Sequence, residues 1–375
     1  MAKAAILGFG VVGQGVYEVL NKNKSIISAR MGEDFEIKRI LDKRVFPDHP
    51  MANAVTPNFE DILNDTEISV VAETMGGTSP AYEFSLALIR AGKSVVTSNK
   101  AVVEKHGLEL IEEAGKHGVS YLYEASAGGG IPVIHPMLHC LAANKIERVC
   151  GILNGTTNYI LTKMRDEGTP FEEALKQAQA LGYAEADPTA DISGADAARK
   201  ICILAGIAFN KEITLDDVSV LEGIEKVTAE DVRKADGHGY AIKLIGYAEQ
   251  TENKMRLFVA PCLVKKNTVL GITDDVINAV FIYGNCVGGV TFRGRGAGGV
   301  ATASAVVSDI IEAATDKAVA DIHEKPEKDS FVPLFDGIDM LYVPETDEFV
   351  EANRLEEQLK SVGSKKYYRV IDINE

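Results

Sequence analysis

Ala4-Ala5-Ile6-Leu7-Gly8-Phe9-Gly10-Val11-Val12-Gly13, near the start of the chain, is the stretch whose reading decides the fold. Four apolar residues make a buried strand. Three glycines at G-x-G-x-x-G spacing follow at once, and Gly13–Leu20 then opens a helix. Gly8 permits a tight turn, Gly10 lets the backbone approach a diphosphate, and Gly13 lets helix and strand pack closely. A phosphate at this point faces the positive end of the helix dipole and its free N–H groups. The spacing alone is weak, since any glycine-rich turn can show it; the strand before it and the helix after it make it a dinucleotide-binding turn.

Outward from this turn the pattern repeats. Phe35–Asp42, Ile68–Glu73, Ser94–Thr97 and Ser120–Glu124 read as strands, with helices at Ser79–Ala91 and Glu109–Lys116. Strands alternating with helices at this spacing imply a parallel sheet covered on both faces, an α/β Rossmann-type domain over residues 1–150. Beyond it come helical patterns at Thr169–Leu181 and Gly194–Ala208, with the loop Gly182–Ile192 between them. Strand-like segments follow at Leu257–Val264 and Phe281–Thr291. These make residues 151–300 a second, α+β domain. Residues 301–315 read as a helix packing back on the first domain, and 316–375 as an acidic peripheral tail without a complete regulatory domain.

The composition excludes several classes. A chain of 375 residues is too long for one ordinary core, and its 46% hydrophobic and 25% charged residues are those of a globular protein. With no tryptophan the core must be largely aliphatic. A net charge of −16 speaks against nucleic acid and anionic membrane surfaces, both of which recruit basic residues. No apolar run approaches the ~20 residues of a membrane span. The strand that begins at Ala4 leaves no room for a signal peptide, so a cytoplasmic protein is expected. The five cysteines are scattered, with no CxxC pair, and are read as buried reduced thiols. His135 and His139 stand four apart, but no third metal ligand lies near them in sequence.

Three further stretches carry chemistry. Leu41-Asp42-Lys43-Arg44 ends the second strand; Asp42 suits the ribose 2′-hydroxyl of NAD and basic Lys43 the 2′-phosphate of NADP, so both nucleotides stay open. Ser94-Val-Val-Thr-Ser-Asn-Lys100 delivers a lysine to the carboxyl end of a buried strand, where ligands of such sheets bind. In Gly182-Tyr-Ala-Glu-Ala-Asp-Pro-Thr-Ala-Asp-Ile-Ser-Gly-Ala-Asp-Ala-Ala-Arg-Lys200, Ser193 is a candidate N-cap and Asp196 and Lys200 share one helix face. Such pairs are usually solvated. The apolar continuation Ile201–Gly206 instead places these charges along a cleft, where Glu185, Asp191 and Asp196 suit a substrate ammonium and Lys200 suits proton transfer.

Taken with Gly151-Ile-Leu-Asn-Gly-Thr-Thr-Asn-Tyr-Ile-Leu161, that segment resembles the signature of the homoserine dehydrogenase family. The resemblance spans roughly residues 3–314. It includes the Met75-Gly76-Gly77 loop, Glu124-Ala-Ser-Ala-Gly-Gly-Gly-Ile-Pro132, Gly294-Arg-Gly-Ala-Gly-Gly299 and Thr302–Asp309. It implies NAD(P)-dependent interconversion of L-homoserine and L-aspartate 4-semialdehyde, in the pathway to threonine, methionine and isoleucine. Lys200 then matches the proton-transferring lysine and Lys100 a second lysine beside the nicotinamide. Glu185 and Asp196 match the homoserine carboxylates, with Asp191, Tyr183, Gly155 and Thr156 in the same pocket. Phe9, Gly10, Val11, Gly76, Gly182 and Gly298 match cofactor contacts. Glu124, Ala127, Gly129 and Ile131 match a loop holding a monovalent cation, usually sodium, mainly through carbonyl oxygens. A homodimer or higher oligomer is implied as well.

Three positions depart from the family pattern: Ala301 where proline is common, Ser98 where alanine is, and the segment after residue 316. There, Lys366–Asp372 faintly resembles the first strand of an ACT domain. The alternatives are another dehydrogenase of a small amino or hydroxy acid, or a non-catalytic dinucleotide sensor. The retained lysines and carboxylates disfavour a sensor. An aspartate-semialdehyde dehydrogenase would need a nucleophilic cysteine motif, which the sequence lacks.

Overall fold

The structure is a computed structural model that describes residues 2–252, 254–315, 340–355, 359 and 366–371. They form two units. One holds residues up to Pro136 together with those from Ala297 to Thr315; the other holds Met137 to Gly296 and the described residues from Met340 on.

In the first unit, β1 (Ala2–Leu7), β2 (Phe35–Leu41), β3 (Val55–Thr56), β4 (Ile68–Glu73), β5 (Ser94–Thr97) and β6 (Tyr121–Leu122) form one parallel sheet in the order β3-β2-β1-β4-β5-β6. Ala4, Ala5, Ile6 and Leu7 are wholly buried, as a strand covered on both faces must be. The covering helices are α1 (Val11–Lys22), α2 (Lys24–Met31), α3 (Glu60–Leu63), α4 (Ala81–Arg90) and α5 (Lys100–His117). The helix Gly299–Thr315 belongs to this unit too, and its Ala303, Val306 and Ile310 join Ile6, Val16, Ile40, Val70 and Val96 in one core. Leu7 is level with Leu41 on one side and Glu73 on the other, and Glu73 with Thr97. The strand ends therefore empty onto one edge. Strand order reverses between β1 and β4, which is where dinucleotides bind in this topology.

The second unit is built on β7 (Ile146–Ile152), β8 (Val220–Leu221), β9 (Tyr240–Gln250), β10 (Met255–Lys265), β11 (Ile277–Gly284), β12 (Gly288–Arg295), β13 (Met340–Val343), β14 (Glu348–Glu351) and β15 (Tyr368–Ile371). Their order is β12-β11-β7-β9-β10-β15-β13-β14, with β8 beside β10; all neighbours are antiparallel except that β8 and β15 run parallel to β10. The helices are α6 (Gly155–Glu167), α7 (Phe171–Ala180), α8 (Thr189–Ile192), α9 (Ala195–Phe209) and α10 (Ala229–Gly237).

Several expectations need correcting. The segment expected as a peripheral tail contributes three strands, and Leu341, Val343, Leu355 and Ile371 lie in one core with Cys150, Tyr247 and Phe258. Residues 316–339 of that segment lie outside the described residues. Phe281–Thr291 is not one strand but the two arms of the β11–β12 hairpin, which turns at Asn285–Val287. Ser193 caps the end of α8; α9 begins instead after Gly194, which has a left-handed backbone. Cys140 and Cys286 are exposed, whereas Cys150, Cys202 and Cys262 are buried, and none of the five is in a disulfide. None of the described helices is long and apolar enough to cross a membrane.

Candidate active site

At the glycine turn, Gly8 takes φ +86°, and a Cβ on Gly13 would stand 2.2 Å from the Gly8 carbonyl oxygen. Helix and strand can pack this closely only without side chains. A Cβ on Gly10 would meet nothing within 4 Å, so that backbone faces open space. α1 has no side-chain cap and no acidic residue in its first turn, leaving its amides to an anion. Val11 projects outward and Phe9 is buried. The Phe9 N–H donates to Asp42 Oδ2 at 2.8 Å. Arg44 folds onto the same carboxylate at 2.7 Å and holds it well below the ordinary carboxylate range. Lys43 is exposed beside it.

The ends of β4 and β5 are tied together by a side chain that the sequence reading passed over. Glu73 is fully buried; it accepts a hydrogen bond from Thr97 Oγ1 at 2.6 Å and from the Met75 N–H at 2.7 Å. Burial pushes its pKa up to about 7 against these bonds. Thr97 Oγ1 in turn accepts from the Asn99 N–H at 2.9 Å, and Asn99 Nδ2 donates to the Gly77 carbonyl at 2.7 Å. Asn99 also caps α5, whose first residue is Lys100. The lysine thus opens a helix, and the Met75–Gly77 loop, Gly76 included, is fixed against its cap. Gly298 (φ +120°) lies at the start of the Gly299–Thr315 helix, to which Ala301 also belongs.

In the second unit Asn154 is the hub. It caps α6 by accepting from the Thr157 N–H at 2.9 Å, while its Nδ2 donates to Asp191 Oδ1 at 2.8 Å and Asp196 Oδ2 at 3.0 Å. Lys200 is buried on α9; its Nζ lies 2.7 Å from Asp196 Oδ2 and donates to the Leu153 carbonyl at 2.8 Å. An ammonium has three N–H donors. Burial raises the pKa of Asp191, and the neighbouring Asp196 raises it further. Gly155 opens α6, and Thr156 Oγ1 donates to the Tyr183 carbonyl at 2.6 Å. The Tyr183 ring packs edge-on against Tyr159. Gly182 (φ +74°) leaves α7 just before Tyr183.

The structure therefore brings Asp191, Asp196 and Lys200 together with Thr156, Gly155 and Tyr183 nearby in the chain's fold. Glu185 is exposed, its carbonyl accepts from Gln179 Nε2, and among the described residues no hydrogen bond joins its carboxylate to that cluster. Asn154 went unassigned in the sequence, although an asparagine directly before Gly-Thr-Thr is a recognisable helix cap.

Glu124 is buried in the first unit. Its carboxylate accepts the backbone N–H groups of Val133 (2.6 Å), Ile134 (2.9 Å) and His135 (2.6 Å). Its own N–H donates to the buried Asp309, whose carboxyl is pushed well up by desolvation. The side chain is thus occupied; Ala127 and Ile131 are buried and Gly129 takes φ +61°. Glu312, remote in sequence, stands 3.0 Å from His135 Nδ1.

Comparison with known proteins matches residues 132–311 to the homoserine dehydrogenase family model and residues 8–124 to that of the homoserine dehydrogenase NAD-binding domain. The chain belongs to the homoserine dehydrogenase family. It is 43% identical over 311 residues to the homoserine dehydrogenase of Pseudomonas aeruginosa, covering 83% of this chain and 71% of the relative. The Synechocystis homoserine dehydrogenase is 44% identical over 317 residues, covering 82% and 72%. A Thiobacillus denitrificans homoserine dehydrogenase structure superposes with a TM-score of 0.89 at 33% identity, covering 100% of this chain and 99% of that one. The Staphylococcus aureus homoserine dehydrogenase at pH 7.5 gives 0.80 at 32% identity, covering 99% of each. Members of the homoserine dehydrogenase family are oxidoreductases acting on a CH–OH group, and this chain carries the family's nucleotide-binding domain.

Proposed function

We propose that the chain oxidises the primary alcohol of L-homoserine to the aldehyde of L-aspartate 4-semialdehyde, and reverses that step, with Lys200 as the proton-transfer group. The observation that supports this reading most is Lys200 itself: a buried amine with two of its three N–H positions taken by Asp196 and the Leu153 carbonyl. The third position serves a substrate oxygen. In the reducing direction the Lys200 ammonium gives its proton to the developing alkoxide; in the oxidising direction the neutral amine takes the hydroxyl proton. Asp196 keeps Nζ in place, so it acts on the lysine as much as on the substrate. Asp191, with Glu185 from the flanking loop, receives the α-ammonium, and Thr156 and Tyr183 shape the wall. Lys100, which opens α5 beside the Met75–Gly77 loop of the first unit, is the second lysine of this reading.

A nicotinamide dinucleotide, when bound, supplies the redox centre of the reaction. The turn at Gly8–Gly13 fits one, because the open space beside Gly10 and the uncapped amides of α1 form an anion cradle. Asp42 offers an acceptor to a ribose 2′-hydroxyl, and Arg44 with Lys43 offers cations to a 2′-phosphate, so NAD and NADP both remain substrates of the reading. The loop Glu124–Ile131 fits a monovalent cation such as sodium only through carbonyl oxygens of Glu124, Ala127, Gly129 and Ile131, because the Glu124 carboxylate already accepts three amides. Action in threonine, methionine and isoleucine synthesis, a cytoplasmic location and a homodimer or larger assembly complete the proposal.

The test is homoserine-dependent reduction of NAD and NADP, titrated side by side in sodium-containing and sodium-free buffer. Homoserine-dependent turnover with either nucleotide is expected; its absence with both refutes the reading.

A further inference from the structure

The last described strand carries a charge that has no place in an apolar core. Arg369, on β15, is fully buried, and its Nη1 donates to Glu222 Oε2 at 3.0 Å. Among the described residues its Nε and Nη2 have no hydrogen-bond partner, and its guanidinium lies over the rings of Phe258 and Tyr367. A buried cation with a single carboxylate partner fixes that partner strongly, since separation would leave the charge uncompensated.

Glu222 follows β8, and its N–H donates to the Val259 carbonyl of β10 at 2.8 Å. The next residues press on the loop that carries the acidic cluster. A Cβ on Gly223 would stand 2.1 Å from the Ile192 carbonyl oxygen and 2.6 Å from Ser193 Cα, and the Ile224 N–H donates to that same carbonyl at 2.8 Å. On the other side, a Cβ on Gly194 would lie 3.2 Å from Leu221. Ile192–Gly194 joins α8, with Asp191, to α9, with Asp196 and Lys200. An unbroken line of contacts thus runs from β15 through Glu222 and Gly223–Ile224 to the cluster, all within one unit.

We infer that Arg369 is a positioning residue: through Glu222 the C-terminal strand sets the geometry of the Ile192–Gly194 turn between Asp191 and Asp196, and so the affinity for the amino-acid substrate. The second half of this rests on the proposed assignment of homoserine to that loop. Arg369→Met keeps the bulk and removes the buried charge; Glu222→Ala removes the half-exposed partner; the double variant removes both.

Hydrogen exchange of the amides at 190–196 and at Ile224 reads the loop directly, without any substrate. Each single variant should speed that exchange about fivefold or more, and the double variant should match the singles, because the two changes cut one connection. The KM for homoserine should rise about fivefold, with kcat and the nucleotide KM within about twofold, a size typical of coupling through packed neighbours. Unchanged exchange at 190–196 in a folded Arg369→Met variant overturns the inference. Faster exchange with an unchanged homoserine KM leaves the positioning role standing and overturns the placement of homoserine on this loop.

Discussion

Replacing Glu73 by glutamine should abolish a pH-dependent loss of stability built into the first unit. The carboxyl is wholly buried, and burial lifts it from its ordinary 4.5 to about 7 although Thr97 Oγ1 and the Met75 N–H both favour the anion. At about 1.4 kcal/mol for each tenfold change, that distance corresponds to about 3 kcal/mol. Below the unfolded value the group is neutral in both states and its contribution to stability is fully present. As the pH rises, the unfolded chain releases the proton first, so stability falls until the folded group ionises at about 7. Glutamine keeps the shape and the acceptor for Met75 but does not titrate. Denaturant unfolding of both proteins across this range should show the variant gaining about 3 kcal/mol on the wild type between acid pH and pH above about 7. A difference that does not change with pH refutes the reasoning.

Lys200→Met should lower stability by about 3–5 kcal/mol by removing the buried cation that faces Asp196, and Lys200→Met with Asp196→Asn should recover most of it; recovery of turnover as well would remove Lys200 from the chemistry. Gly13→Ala should damage folding, because its Cβ meets the Gly8 carbonyl, whereas Gly10→Ala should fold and lose nucleotide affinity; calorimetry with both variants checks the contrast, and equal nucleotide affinity in folded Gly10→Ala contradicts it. Glu124→Ala strands three backbone N–H groups at about 1–3 kcal/mol each, so its melting temperature should fall steeply; a fall equivalent to less than about 1 kcal/mol would show that water replaces the carboxylate.

The first unit was legible because its strands are short, apolar and separated by helices, so period and order coincide: Ile68–Glu73 and Ser94–Thr97 were expected with their observed bounds. The second was harder for a physical reason. β9 carries Lys243 as its fourth residue, a charge that breaks the pattern of a buried strand; the fold pairs it with Asp274 at 2.9 Å, Asn158 Oδ1 and the Thr273 carbonyl, none of them near in sequence. Of the C-terminal strands, β15 lies within Lys366–Asp372, which read as strand-like, whereas β13 and β14 were hidden by their charged neighbours; Arg369 is buried with Glu222 as its carboxylate partner. At the site, Asp196 and Lys200 were suggested by helical spacing and buried continuation, and Asp191 by the acidic groups gathered around it. Asn154 was not, because a cap residue reveals that it bridges two carboxylates only once the chain has folded.

The most direct measurement is steady-state turnover of homoserine by wild type and Lys200→Ala, followed through reduction of the nicotinamide, with nucleotide affinity measured alongside. Lys200→Ala should lose about 10²–10⁴ in kcat while binding nucleotide nearly as well as wild type. Wild-type turnover in the variant would contradict the assignment of proton transfer to the buried lysine.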